Sequence, residues 1–180
     1  LGRKKINQIC LNLDNKRIPI TKNKRVEGKI PYYGASGVVD YVEDYIFDED
    51  LLLVSEDGAN LLARTYPIAF SVSGKCWVNN HAHILKFDNK INQKFVEYYL
   101  NSIKLDDYIS GMAQPKLNQT KLNLIPIPYP NIDIQTVLIQ NIEKLDEQTK
   151  QLEQKYQQKL KNLEELKKSI LQKAFKGELV

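Results

Sequence analysis

The chain has 180 residues, is 42% hydrophobic and 27% charged, and carries a formal net charge of +4. This suits a soluble globular domain with room for one extended element. It excludes a membrane protein built on helices, because no apolar run approaches the roughly 20 residues a span needs. The basic start Leu1-Gly2-Arg3-Lys4-Lys5 is not followed by the apolar stretch of a signal peptide. Cys10 and Cys76 make no disulfide framework and fit a reducing cytoplasm, the expected location. With no initiator Met, and Met112 the only methionine, the chain is expected to be trimmed or to carry a cloning remnant.

The charge is uneven. Residues 1–30 hold nine Lys/Arg against two acids, residues 31–130 hold eight against twelve, and residues 131–180 hold nine against eight. A basic segment on an acidic domain suits a polyanion on one face, or else a solvated arm.

In chain order, residues 1–30 read as an opening arm in which Ile18-Pro19-Ile20 is extended. Gly28-Lys29-Ile30-Pro31 and Gly34-Ala35-Ser36-Gly37 are turn signals around Tyr32-Tyr33. Asp40 to Asp57 holds eight acids and no base, the pattern of a solvated sheet edge. Within it Leu51-Leu52-Leu53-Val54 reads as a buried strand ending at the turn Glu56-Asp57-Gly58. Ile68 to Val72 and Lys75 to Val78 flank Ser73-Gly74, which predicts a hairpin. Ala82 to Phe87 is apolar on both faces and predicts a central strand. Asn92 is the expected N-cap of a helix through about Lys104, and Gly111 to Pro130, with four prolines, is expected to be irregular and extended.

The last third differs. From Asn131 to Lys176 there is no Gly or Pro, and Leu138, Ile142, Leu145, Leu152, Tyr156, Leu163, Leu166 and Ile170 lie on one alternating 4-3 ladder. That period belongs to a helix that meets another helix along a seam. Roughly 43 residues at 1.5 Å each give a rod of about 65 Å. A domain of about 130 residues, about 30 Å across, cannot cover it, so the rod needs a partner helix. Off the seam, Leu160, Leu171 and Phe175 widen the stripe toward its end. The expected domains are a globular unit over 1–130 and a spacer helix over 131–180.

No catalytic pattern emerges: there is no Gly-rich phosphate loop and no nucleophile elbow. His81 and His83 sit two apart on a strand with no Cys-x-x-Cys nearby, so no metal site is expected. They read as a hydrogen-bonded pair at a strand end, with His81 also a candidate nucleic-acid contact beside Asn79 and Asn80.

Several ordered motifs carry a resemblance. Gly111-Met112-Ala113-Gln114-Pro115-Lys116-Leu117-Asn118 is followed by Ile125-Pro126-Ile127-Pro128, then by Gln135 opening a long helix that ends Phe175-Lys176-Gly177-Glu178-Leu179. Upstream stand Ser55-Glu56-Asp57-Gly58-Ala59-Asn60 and Ser73-Gly74-Lys75-Cys76-Trp77-Val78-Asn79-Asn80-His81-Ala82-His83. Together they resemble the specificity subunits of type I restriction-modification systems, over essentially the whole chain. The resemblance implies an α+β fold, with a mixed-sheet target recognition domain followed by one long helix in an antiparallel coiled coil with a partner helix. It implies a non-catalytic subunit that reads double-stranded DNA at a bipartite target and docks methylation and restriction subunits. It carries no cofactor of its own, since S-adenosylmethionine would belong to the methylation subunit.

With one domain and one helix, the chain is expected to be a half-subunit or a fragment. The seam is closed by a homodimer or by the second half of a longer subunit. The alternatives are a self-contained DNA-modifying enzyme fragment and a coiled-coil adaptor without sequence preference. For DNA contact the expected residues are Lys22, Lys24, Arg25, Lys29, Lys116 and Lys121 on phosphates, and Asn60, Arg64, Asn79, Asn80 and His81 on base edges. Tyr32, Tyr33 and Ser36 lie in a loop suited to a groove, the tyrosines as stacking platforms unless one of them packs in the core. Gly111, Gln114, Pro115, Leu117 and Asn118 form a rigid loop that docks the domain on the rod base or contacts DNA or a methylation subunit.

Overall fold

The computed structural model describes residues 2–111 and 113–178; Met112 of the motif block and Leu179 at the helix end lie outside them. The chain divides into two compact units, Leu1–Thr136 and Val137–Val180. Among the described residues the strands of the first unit form three sheets. β1 (Arg3–Lys5) pairs antiparallel with β10 (Pro126–Pro128), tying the two ends of the unit together. The second sheet runs β2 (Leu11–Asn12), β9 (Ala82–Lys86), β6 (Leu51–Ser55), β7 (Ala69–Val72), all antiparallel. The third runs β4 (Gly37–Val42), β3 (Glu27–Gly34), β8 (Lys75–Val78), β5 (Phe47–Asp48), and there β3 and β8 are parallel.

The core explains why Leu51 to Val54 is apolar without a break. Leu51 and Leu53 of β6 pack with Ala82 and Ile84 of β9, Val72 of β7, Phe47 of β5 and Cys76 and Val78 of β8, joining the two four-stranded sheets. Alternation sends Leu52, Val54 and Leu85 to the opposite face, where they are also fully buried. Helix α2 (Lys90–Ser102) packs on β6 and β7. Its Asn101 closes the free edge of β7: Oδ1 accepts from the N–H groups of Ile68 and Ala69, and Nδ2 donates to the Ala69 carbonyl at 2.7 Å. β9 is central, as its two apolar faces predict.

Three local expectations are corrected. β7 and β8 do not form a hairpin; β7 pairs with β6, and β8 with β3 and β5. The Ser73-Gly74 turn, with Gly74 at φ +76°, instead passes the chain from one sheet to the other. Helix α2 is capped by Asn89, whose side chain accepts from the Asn92 N–H at 2.8 Å, and not by Asn92. The stretch Gly111 to Pro130 is not wholly irregular: Asn118 caps a short helix, α3 (Gln119–Leu124), by accepting from the Lys121 N–H. The prolines lie outside that helix and do not oppose it. A four-residue helix α1 (Asn60–Ala63) follows β6.

Helix α4 (Ile132–Phe175) runs 44 residues without interruption. Asn131 caps it by accepting from the Ile134 N–H at 3.0 Å. Among the described residues no helix is long and apolar enough to cross a membrane.

Leu53 is fully buried between the sheets. Leu53→Ala is expected to cost about 3 kcal/mol, from lost burial plus the cavity left behind. The shift of the urea midpoint against the unaltered chain measures it.

Candidate nucleic-acid interface

Four loops meet where β6 ends and β9 begins. Ser55 donates its hydroxyl to the Ala35 carbonyl at 2.5 Å, holding the tip of the β3–β4 hairpin. The Asn79 N–H donates to the Tyr33 carbonyl, and the Glu56 N–H to the His81 carbonyl, bringing in the turn between β8 and β9. The Gly58 N–H donates to Pro115 and the Leu117 N–H to Glu56, which seats the 110–118 loop beside them. Gly111 turns that loop at φ +82°, where a Cβ would stand 2.5 Å from the Gln114 carbonyl oxygen. Ser36, Asn80, His81, Gln114 and Lys116 are exposed on this rim.

Beneath the rim lies a buried charged cluster. His83 on β9 places Nδ1 2.6 Å from Asp14 Oδ2 and Nε2 2.7 Å from the Leu117 carbonyl oxygen. The ring is thus held from both sides, by a carboxylate and by a backbone carbonyl. Arg17 Nη1 stands 2.5 Å from Glu56 Oε2 and also donates to the Ala82 carbonyl, while its Nε donates to the Asp14 carbonyl. Lys116 Nζ closes on the other Glu56 oxygen at 3.2 Å. Burial alone would raise both carboxyls. For Asp14, His83, the Ile84 N–H and Arg17 reverse this and hold the pKa below the usual carboxylate range. For Glu56, Arg17, His83 and Lys116 do the same. Asp14, Glu56 and His83 bring their ligand atoms within 4.8 Å of one another, a set that could hold a metal ion. Here positive charge beside the carboxylates is already supplied by Arg17 and Lys116.

Sequence reasoning did not find this cluster. Its members come from the arm, the end of β6, β9 and the 110–118 loop, and no local spacing relates them.

The residues expected at DNA divide into two sets. Lys22 and Lys24, on a short 3-10 turn, and Lys29 on β3 are exposed, as is Lys121 on α3. Arg25 is engaged: Nη1 is 2.8 Å from Asp40 Oδ2, Nε donates to the Ile20 carbonyl, and the guanidinium lies over the Tyr32 ring. Tyr32 itself is 1% exposed and its hydroxyl accepts from the Ile20 N–H, so it cannot stack on a base. Tyr33 is half-buried against Phe70. Asn60 has both ends of its amide bonded to the Tyr66 backbone, closing a loop. Arg64, left-handed at φ 54°, donates to the Leu100 and Ile103 carbonyls at the end of α2, and burial lowers its pKa. Asn79 is buried, its side chain accepting from the His81 N–H.

Arg25, Tyr32, Asn60, Arg64 and Asn79 are thus engaged within the domain's own hydrogen bonds, and of these Tyr32 and Asn79 are buried. Pro115 and Leu117 are buried and Asn118 is a helix cap, so the motif loop docks on the end of the sheet.

In the second unit the seam residues Leu138, Ile142, Leu145, Leu152, Tyr156, Leu163, Leu166 and Ile170 are 39–64% exposed. Leu160, Leu171 and Phe175 are exposed too. Residues 3–162 match the family model of the type I restriction modification DNA specificity domain. The chain belongs to this family.

A putative type I restriction enzyme specificity subunit, S.HindORF215P of Haemophilus influenzae, is 34% identical over 185 residues, covering 93% of this chain and 48% of the relative. The specificity domain thus spans about half the length of that relative. Two solved structures share its fold. One, from work on complex assembly and conformational transition of the type I R-M system, has TM-score 0.73 at 17% identity, over 98% of this chain and 46% of the other. The other, the S subunit from M. genitalium, has TM-score 0.63 at 14% identity, over 81% of this chain and 39% of the other.

The charged cluster gives the specificity domain a definite acid response. The Asp14 and Glu56 carboxyls are lower when folded than their reference values of 3.8 and 4.5. Their contribution is thus present above about pH 4.5 and is lost as pH falls through the folded values. Arg17→Met removes the cation shared by two buried carboxylates, leaving Asp14 with His83 and the Ile84 N–H and Glu56 with Lys116, and is expected to cost about 3 kcal/mol at pH 7. The cost shrinks toward pH 4 as the carboxyls take up protons. Urea titrations of both proteins at pH 7 and pH 4 measure the difference.

Proposed function

We propose that this chain is the non-catalytic DNA-reading half of a type I specificity subunit. The family match over residues 3–162 carries that reading. The rim supports it: Ser36, Asn80, His81 and Lys116 are exposed polar side chains on loops anchored to buried strands, an arrangement suited to base and backbone contact. Lys22, Lys24, Lys29 and Lys121 are exposed cations suited to phosphates.

In this reading α4 pairs antiparallel with the same helix of a second copy, or with its counterpart in a longer chain. Its 44 residues give about 66 Å of helix, enough to separate two half-sites by one to two turns of DNA at about 34 Å each. The methylation and restriction subunits dock on the paired assembly. The chemistry, with S-adenosylmethionine, belongs to the methylation subunit.

Selection of the 180-residue chain against randomised duplexes tests this. The expected winner is a split, inverted-repeat sequence; an unenriched pool would contradict the reading. Replacing Lys22, Lys24 and Lys29 by Ala should weaken binding across all sequences. It should also make the dependence of log affinity on log salt shallower, by about 0.9 for each phosphate that is no longer neutralised.

A further inference from the structure

His81 is the most constrained exposed side chain on the rim. Its N–H donates to Asn79 Oδ1 at 2.8 Å and its carbonyl accepts from the Glu56 N–H at 2.9 Å, so its backbone is held on both sides. Its ring Nδ1 lies 2.8 and 3.0 Å from the two oxygens of Asp57. Asp57 is in turn fixed through a backbone bridge to Lys116. The His81 side chain is 51% exposed, against 20% for Asp57, so the pair is anchored inward and open outward.

A carboxylate can only accept, so the proton on the ring is drawn to Nδ1. In the neutral ring this leaves Nε2 with a lone pair and no donor, and Nε2 has no hydrogen-bond partner among the described residues. In the major groove the exocyclic amino groups of adenine and cytosine are donors, whereas guanine and thymine present acceptors at the same edge. A fixed acceptor accordingly sorts amino bases from keto bases without separating adenine from cytosine.

We infer that Asp57 is a positioning residue that locks the His81 tautomer. His81 Nε2 then accepts a hydrogen bond from the amino group of an adenine or cytosine at one position of each half-site. This rests on the DNA-reading function proposed above. It predicts a two-fold degenerate position in the target, admitting A or C and disfavouring G and T by about tenfold, the low end for a specific base contact.

The test is a randomised-duplex selection at pH 8, above the reference imidazole value of about 6.5. The unaltered chain is compared with Asp57→Asn, Asp57→Ala and His81→Ala, and the ring 15N spectrum is recorded for each protein that keeps His81. The expected result is an A-or-C position that becomes indifferent in His81→Ala and shifts away from A and C toward G and T in both Asp57 variants, while the other positions of the target persist. The ring proton should sit on Nδ1 in the unaltered chain and move toward Nε2 when Asp57 is replaced. Persistence of the same preference in His81→Ala, whose half-exposed ring can be removed without opening the core, overturns the inference alone. So does an Nε2-protonated neutral ring in the unaltered chain. An unaltered chain that enriches no sequence overturns both this inference and the function it rests on.

Discussion

A helix of 44 residues with an exposed apolar stripe is the constraint on which the rest depends. Tertiary packing of an apolar face, more than propensity, stabilises helices in proteins. Here the apolar seam residues from Leu138 to Ile170 are 39–64% exposed. Their 4-3 ladder is the geometry of helix pairing, and burial of each Leu or Ile contributes on the order of 1.5–3 kcal/mol. The proposed pairing thus follows from one unsatisfied surface, and so does the proposed separation between two reading units.

The reading unit solves a different problem. Loops proposed to meet DNA must be exposed, yet they must hold side chains to within fractions of an ångström. Here two of them grow from β6 and β9, which are buried on both faces. They are then locked from below by Arg17, Asp14, Glu56 and His83, which bond the arm, the end of β6, β9 and the 110–118 loop to one another. Buried charge of this kind is costly to leave incomplete, so shifting any one of these segments carries a penalty. Leu117 shows the coupling directly: its N–H bonds to Glu56 and its carbonyl to His83, so the motif loop cannot shift without disturbing both.

What could be seen from the amino-acid sequence was local periodicity. The buried strand at Leu51 to Val54, the central strand at Ala82 and the long helix each announce themselves within a few residues. The sheet exchange at Ser73-Gly74 does not, because a turn signature is the same whether the chain returns to its own sheet or crosses to another. α3 was hidden by flanking prolines, although the Asn118 cap was there to be read. The basic arm misled in a subtler way. Arg17 and Arg25 count as positive charge in composition, but their partners Glu56 and Asp40 lie 39 and 15 residues away. Long-range neutralisation of this sort leaves no trace in spacing. Which of Tyr32 and Tyr33 packs in the core is hidden for the same reason, since only the folded arm shows Ile20 and Arg25 closing over Tyr32.

The most direct test of the account is sedimentation equilibrium of the 180-residue chain from nanomolar to micromolar concentration, with helical circular dichroism recorded on the same samples. The account predicts a dimer whose dissociation on dilution is accompanied by loss of helical signal. A monomer at micromolar concentration that keeps the full helical signal would contradict it.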